Sequence, residues 1–79
     1  MVKISRLKIL GVIQESKSFE CTFVKKDKTI RDMRCTFEDI RSKENTLITV
    51  WDIDNNGYRY VNLETILTLS IKDIDYKII

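Results

Sequence analysis

Ser18-Phe19-Glu20-Cys21-Thr22-Phe23-Val24, Lys25-Lys26-Asp27-Lys28-Thr29 and Asp32-Met33-Arg34-Cys35-Thr36-Phe37 make up one nearly continuous stretch whose parity determines the architecture. Phe19, Cys21 and Phe23 alternate with polar residues ahead of the charged run, and Met33, Cys35 and Phe37 alternate with polar residues after it. A period of two is that of a strand with one face buried. A two-residue loop at Asp27-Lys28 would set Cys21 opposite Arg34 and Phe19 opposite Thr36, and so bury charge. An odd loop, such as a three-residue one with a bulge, brings all six apolar side chains to one face. The odd loop is therefore expected. It would put Lys28 in a left-handed position usually given to Gly or Asn, at a cost of about 1 kcal/mol.

Working outward, Leu47–Ile53 and Tyr58–Leu63 flank Asn55-Asn56-Gly57, and Asn-Gly between β-rich runs is a strong hairpin signal. Asn62-Leu63-Glu64-Thr65 suits a single helical turn, and Ile66–Ile71 a fifth strand with Leu67, Leu69 and Ile71 on one face. Beyond Asp73 the phase changes, and Ile74, Tyr76 and Ile78 alternate as a sixth strand. Near the N-terminus Ile4, Leu7 and Leu10 recur at a helical interval, with Ser5 available as a cap. Gly11 and the β-branched neighbours keep a strand open as the alternative to a short helix. The expectation is a mainly β, single domain over residues 1–79. It comprises an N-terminal helical or extended segment (1–16), an SH3-like or Sm-like barrel of five to six strands (18–71), and a C-terminal strand or tail (72–79).

Composition agrees with a small folded domain: 43% of residues are hydrophobic and 33% charged. A chain this short buries only roughly 60–65% of its unfolded surface, so a second subunit would help stabilise it. No apolar run approaches the ~18 residues of a membrane span, and no signal-peptide pattern opens the chain, so a cytoplasmic location is expected. Cys21 and Cys35 fit no metal or redox spacing and read as free, buried thiols. Net charge is +2, with ten Lys/Arg against six Asp/Glu in residues 1–41 and four against six in residues 42–79. That permits a mildly basic face and argues against a polyanion groove.

Phe23-Val24-Lys25-Lys26-Asp27-Lys28-Thr29-Ile30-Arg31-Asp32-Met33 resembles the first hairpin of a family of small, mostly phage-encoded SH3/Sm-like barrels related to WYL domains. That family tends to show a Lys-Asp-Gly-Thr-hydrophobic-Arg-x-Met run, and Lys28 stands here in place of the glycine. Val50-Trp51-Asp52-Ile53-Asp54 and Gly57–Ile66 resemble the family's second hairpin. The likeness spans residues 18–70 and is carried by structural motifs, so it speaks to fold more than to function.

Enzymatic constellations are missing from the sequence. There is no histidine, no Ser or Cys beside an activating partner, and no glycine-rich phosphate loop, so the chain is not expected to be an enzyme or to need a cofactor. Asp52-Ile53-Asp54-Asn55-Asn56-Gly57 matches the opening of a calcium loop. However, Leu63 stands where the closing Glu is required, and the flanks are β-type. A hairpin turn with two solvated carboxylates is the better account.

Binding is the remaining function. Trp51, Ile53, Tyr58 and Tyr60 share one face of the second hairpin, while Val50, Val61 and Leu63 share the other, and both cannot line one small interior. Trp51, Tyr58 and Tyr60 are thus the candidate contact surface, unless the N-terminal segment or Ile74–Ile78 covers them. Arg31, Arg34 and Arg59 are the charged candidates, Arg34 on the outer face and Arg31 at the barrel mouth. Blandly read, they are cross-strand partners of Glu20, Asp32 or Asp54. Two functions fit. The first is a protein-binding module, and the resemblance implies a phage accessory protein that docks in the host cytoplasm on a host defence, restriction or DNA-processing complex and inhibits or redirects it. The second is a module for single-stranded nucleic acid or nucleotides, with aromatics stacking bases and Arg31, Arg34 or Lys25-Lys26-Lys28 holding the backbone. A homodimer paired through the C-terminal strand is a further expectation.

Overall fold

The computed structural model describes residues 1–42, 44 and 46–79. Along these the chain runs β1 (Val2–Ile4), a 3-10 turn (Arg6–Lys8), α1 (Ile9–Ser16), β2 (Ser18–Val24), β3 (Ile30–Ile40), β4 (Leu47–Asp52), β5 (Gly57–Asn62), a second 3-10 turn (Leu63–Thr65), β6 (Ile66–Ile71) and β7 (Ile74–Ile78). The strands form a single sheet in the order β1-β7-β6-β2-β3-β4-β5. The fold is mainly β with one short N-terminal helix, as expected, but it has seven strands where five to six were anticipated. The additional strand is β1, which pairs in parallel with β7 through Val2 and Tyr76. Its three residues are too few to show a period in sequence.

The first hairpin takes the odd loop. Phe19 pairs with Cys35 and Cys21 with Met33. Lys25 and Thr29 close a three-residue loop through a 2.8 Å bond from Lys25 N to Thr29 O. Lys28 sits at φ 74, the left-handed position that parity demands. Asp27 holds the turn by accepting from the Thr29 amide at 3.0 Å and the Thr29 hydroxyl at 2.6 Å. Replacing Lys28 with Gly should therefore raise stability by about 0.5–1 kcal/mol, less than the full left-handed penalty because glycine also loosens the unfolded chain. Urea melts should show a higher midpoint at unchanged slope.

Two details shift the expected faces. Thr22 pairs with Thr68 but Phe23 with Ile66, so Leu67 forms a bulge. Ile66, Leu69 and Ile71 are consequently buried and Leu67 is exposed, which corrects the Leu67, Leu69, Ile71 stripe. The second correction concerns β7. It carries β6 on one side and β1 on the other, so the C-terminal strand has no free edge for pairing across a two-fold axis. The edges are β1 and β5.

The core collects Phe19, Cys21, Met33, Cys35 and Phe37 with Ile48, Val50, Val61, Leu63, Ile66, Leu69 and Ile71. From the helix, Ile9 and Ile13 join it, four residues apart and without solvent exposure. Ser5 does cap, its hydroxyl accepting from Leu7 N at 3.3 Å, but the cap opens the 3-10 turn rather than α1. The Ile4, Leu7, Leu10 stripe is replaced accordingly: Ile4 belongs to β1, and Leu7 points into solvent. Arg6 ties this segment to the second 3-10 turn, donating from Nη1 to Leu63 O at 2.7 Å and Ile66 O at 3.1 Å.

Candidate binding surface

Parity on the second hairpin is set by its register. Trp51 pairs with Tyr58, Thr49 with Tyr60 and Ile48 with Val61, around a four-residue turn. Ile48, Val50 and Val61 accordingly face the core, while Trp51, Tyr58 and Tyr60 lie together on the outer face. Tyr58 and Tyr60 are 67% and 64% exposed, so neither the N-terminal segment nor β7 covers them. Trp51 is half-buried, its ring edge-on to Tyr58 with centroids 4.9 Å apart. The Arg41 guanidinium stands 5.3 Å from the Tyr60 ring centroid. Ile53 departs from this face, because the turn begins at that residue and ties its amide to Arg34 O at 3.0 Å. Beneath the aromatics the Thr49 hydroxyl is shut off from solvent with no partner among the described residues.

The three arginines are not brought together. Arg34 lies on the outer face in an exposed pair with Asp54, 2.7 Å from Nη2 to Oδ1. Arg31 and Arg59 instead converge at the inner side of the hairpin tip, on the same carboxylate oxygen. Arg31 Nη2 reaches Asp52 Oδ2 at 3.0 Å and Arg59 Nε reaches it at 2.9 Å. Asn55 completes the cluster, donating its side-chain amide to Oδ2 at 2.9 Å and its backbone amide to Oδ1 at 3.3 Å. The Asp52 side chain is 1% exposed. The Asn55 amide bonds, with those of Arg59 and the nearby Arg31 charge, hold its carboxyl below the ordinary 3.8 against the opposing pull of burial.

Asp52 is thus not one of two solvated carboxylates. Only Asp54 matches that description, and it is ion-paired. Asp52 is also the residue that sequence reasoning missed. Its signal was present, since it shares the parity of Ile48 and Val50, and a carboxylate on a buried face needs cationic partners. Arg31 and Arg59 were the available ones. The calcium-loop likeness is not realised: Asp52 is buried onto Arg31 and Arg59, Asp54 is paired with Arg34, and the described residues bring no three His, Cys, Asp or Glu side chains together.

On the far side of Arg34, Glu20, Thr22, Asp32, Asp54, Ser70 and Asp75 line a cleft of about 400 Å³. Its charged side chains are acidic apart from Arg34, and Met1, Cys21, Met33 and Leu69 add apolar surface. Cys21 and Cys35 are both free and buried. No helix of the described residues is long and apolar enough to cross a membrane. No protein-family model, curated protein or solved structure matches the chain.

Proposed function

We propose that this chain is a non-enzymatic protein-binding module that docks on a partner through the outer face of its β4–β5 hairpin. The observation that carries the reading is the uncovered Trp51, Tyr58 and Tyr60 surface. On a chain this small, keeping two tyrosines and the edge of a tryptophan at the surface forgoes burial that the core would otherwise gain. Such side chains dominate interface energetics, because they supply large rigid area at low entropic cost. The order β6-β2-β3-β4-β5, with a 3-10 turn entering β6, supports reading residues 18–71 as an SH3/Sm-like barrel. The hairpin likenesses direct the proposal to a phage accessory protein that binds, in the host cytoplasm, a complex serving defence or DNA processing, and inhibits or redirects it.

Nucleic acid is the poorer fit. Of the three candidate arginines, Arg31 and Arg59 share one carboxylate and Arg34 is paired with another, which leaves Arg41 over Tyr60 as a single cation beside the aromatics and not a track that could follow a backbone. The test is an affinity capture from host lysate with the immobilised chain. One host complex should be retained regardless of nuclease, and a Tyr58→Ser/Tyr60→Ser double variant should retain it at least tenfold less. These positions are exposed, so the fold should tolerate the change. Capture of nucleic acid instead, falling steeply with salt, would overturn the reading.

A further inference from the structure

We propose that the free edge of β5 accepts an extended segment of the partner protein as an added strand, and that acidic and apolar residues alternate along this segment. The inference rests on the reading of the β4–β5 hairpin as a protein-binding surface and names the chemistry of what binds there.

The edge itself is the first observation. β5 ends the strand order with β4 as its one neighbour, and it runs for six residues in unbroken register. Exposed edges are normally blunted by proline, a bulge, extreme shortness or charged side chains. The opposite edge, β1, is three residues long and carries Lys3. β5 is six residues long without proline or bulge, and its one charged residue, Arg59, points to the inner face, where it opposes a second basic edge and favours an acidic strand. Its unpaired backbone groups form a template for main-chain hydrogen bonds.

The side chains beside that edge then define the sequence it takes. Tyr58 and Tyr60 lie on the outer face, while Arg59 lies on the inner face with Arg31. An added strand alternates in the same way. Its residues on one face would meet the two tyrosines, and those on the other would meet the arginines. Arg59 uses Nε, and Arg31 uses Nη2, on the shared Asp52 oxygen. The remaining guanidinium nitrogens of both have no acceptor among the described residues. Two cations against one carboxylate leave an excess positive charge, held in place by a buried anchor. A carboxylate from the incoming strand is its complement. Apolar side chains are the complement of the tyrosine rings.

A second copy of this chain is disfavoured on the same edge. Full antiparallel overlap of two six-residue β5 strands would set Arg59 opposite Tyr60 and leave its free guanidinium nitrogens without a carboxylate. A register slipped by one, to bring both inner faces to one side, would set the two copies' Arg59 directly opposite, with like charges adjoining. A nucleic-acid strand would find at this edge the Arg59 and Arg31 pair and Arg41 over Tyr60, too few cations to follow a phosphate backbone.

The experiment uses a fluorescent eight-residue peptide alternating Glu and Leu, with polarisation for affinity and amide hydrogen exchange for location. Expected are saturable binding and new protection of the β5 amides. A peptide with Lys for Glu should bind at least tenfold more weakly, as should one N-methylated on alternate amides. These two probes leave the protein untouched, so protein misfolding cannot mimic the result. Arg59→Gln should weaken binding at least fivefold, and Lys77→Gln on β7 should leave it unchanged. Equal binding of the Glu and Lys peptides, binding without β5 protection, or β5 protection that grows with protein concentration alone would each overturn the proposal. If the peptide fails while the tyrosine variant still loses the host complex, the partner sits on the face and not the edge. If that complex is retained as well, both readings fall.

Discussion

Asp52→Asn should lower stability by about 2–3 kcal/mol, one of the two largest losses expected from a single substitution in this chain. The side chain is buried and serves Arg31, Arg59 and Asn55 at once. Removing one partner from a fully buried ion pair costs about 3–5 kcal/mol, because a charge is left unsolvated. Here the abandoned charges are arginines at 28% and 46% exposure, which recover water, so the lower figure applies. A domain of this length has total stability of roughly 4–12 kcal/mol. The melting temperature should fall by about 10–20 °C. A control separates charge from packing: Asp52→Leu with Arg31→Met and Arg59→Met should recover much of the loss, since well-packed apolar replacements of buried ion pairs are often neutral. A melting temperature unchanged by Asp52→Asn would show that the carboxylate is not the anchor of the hairpin tip.

The same cluster shapes the response to pH. Asp52 is held below 3.8 by Asn55 and the arginines, Asp54 by Arg34, and Asp27 by Thr29. A depressed folded pKa contributes stability that is present above 3.8 and is lost as pH falls through the lower folded values. Stability should therefore be level from about pH 5 to 8, where the chain has no histidine to titrate, and should drop below about pH 4. In Asp52→Asn the acid limb should be shallower. The alkaline side has a different source. The Cys21 contact, and burial, push the Cys35 thiol far above its ordinary 9.0. That contribution is complete below 9.0 and is lost as pH rises past it, because the unfolded chain ionises there first. Denaturant midpoints measured across pH should trace both limbs.

Legibility followed periodicity. The first hairpin was readable down to the left-handed Lys28, because two alternating strands admit only one loop parity that buries no charge. The aromatic face of β4–β5 was readable for the same reason. What escaped lacked a period or broke one. β1 is too short to alternate, and the Leu67 bulge reverses the phase of the strand containing it. The site divided along the same line. Trp51, Tyr58 and Tyr60 fell together where expected, but Arg31 and Arg59 were separated from Arg34 by a carboxylate that resembled a turn residue. Asp52 sits at the end of a strand, where turn composition and strand parity make opposite claims. Parity prevailed because three donors could reach it.

The N-terminal helix provides the other large effect, with two opposite signs a few residues apart. Ile13→Ala should cost about 3–4 kcal/mol, and Gly11→Ala should gain about 0.5–1 kcal/mol. Ile13 has no solvent exposure and packs with Ile9 into the core shared by the strands, so truncation leaves a cavity as well as losing transfer energy. Gly11 is exposed in the middle of α1, and a methyl group added there meets nothing within 4 Å. It pays only the entropic penalty of glycine in a helix, which alanine removes. The pair discriminates between two roles for the segment. If α1 is an integral second layer over the sheet, both effects appear in one cooperative transition with unchanged denaturant slope. If it is a detachable appendage, Ile13→Ala should leave the main transition in place and lower the helical signal ahead of it. The two Arg6 bonds to the turn before β6 favour the first outcome, since they join the helix entry to the strand that closes onto β2. Circular dichroism at a helical wavelength and Trp51 fluorescence should then give superimposable melts for the wild type and both variants.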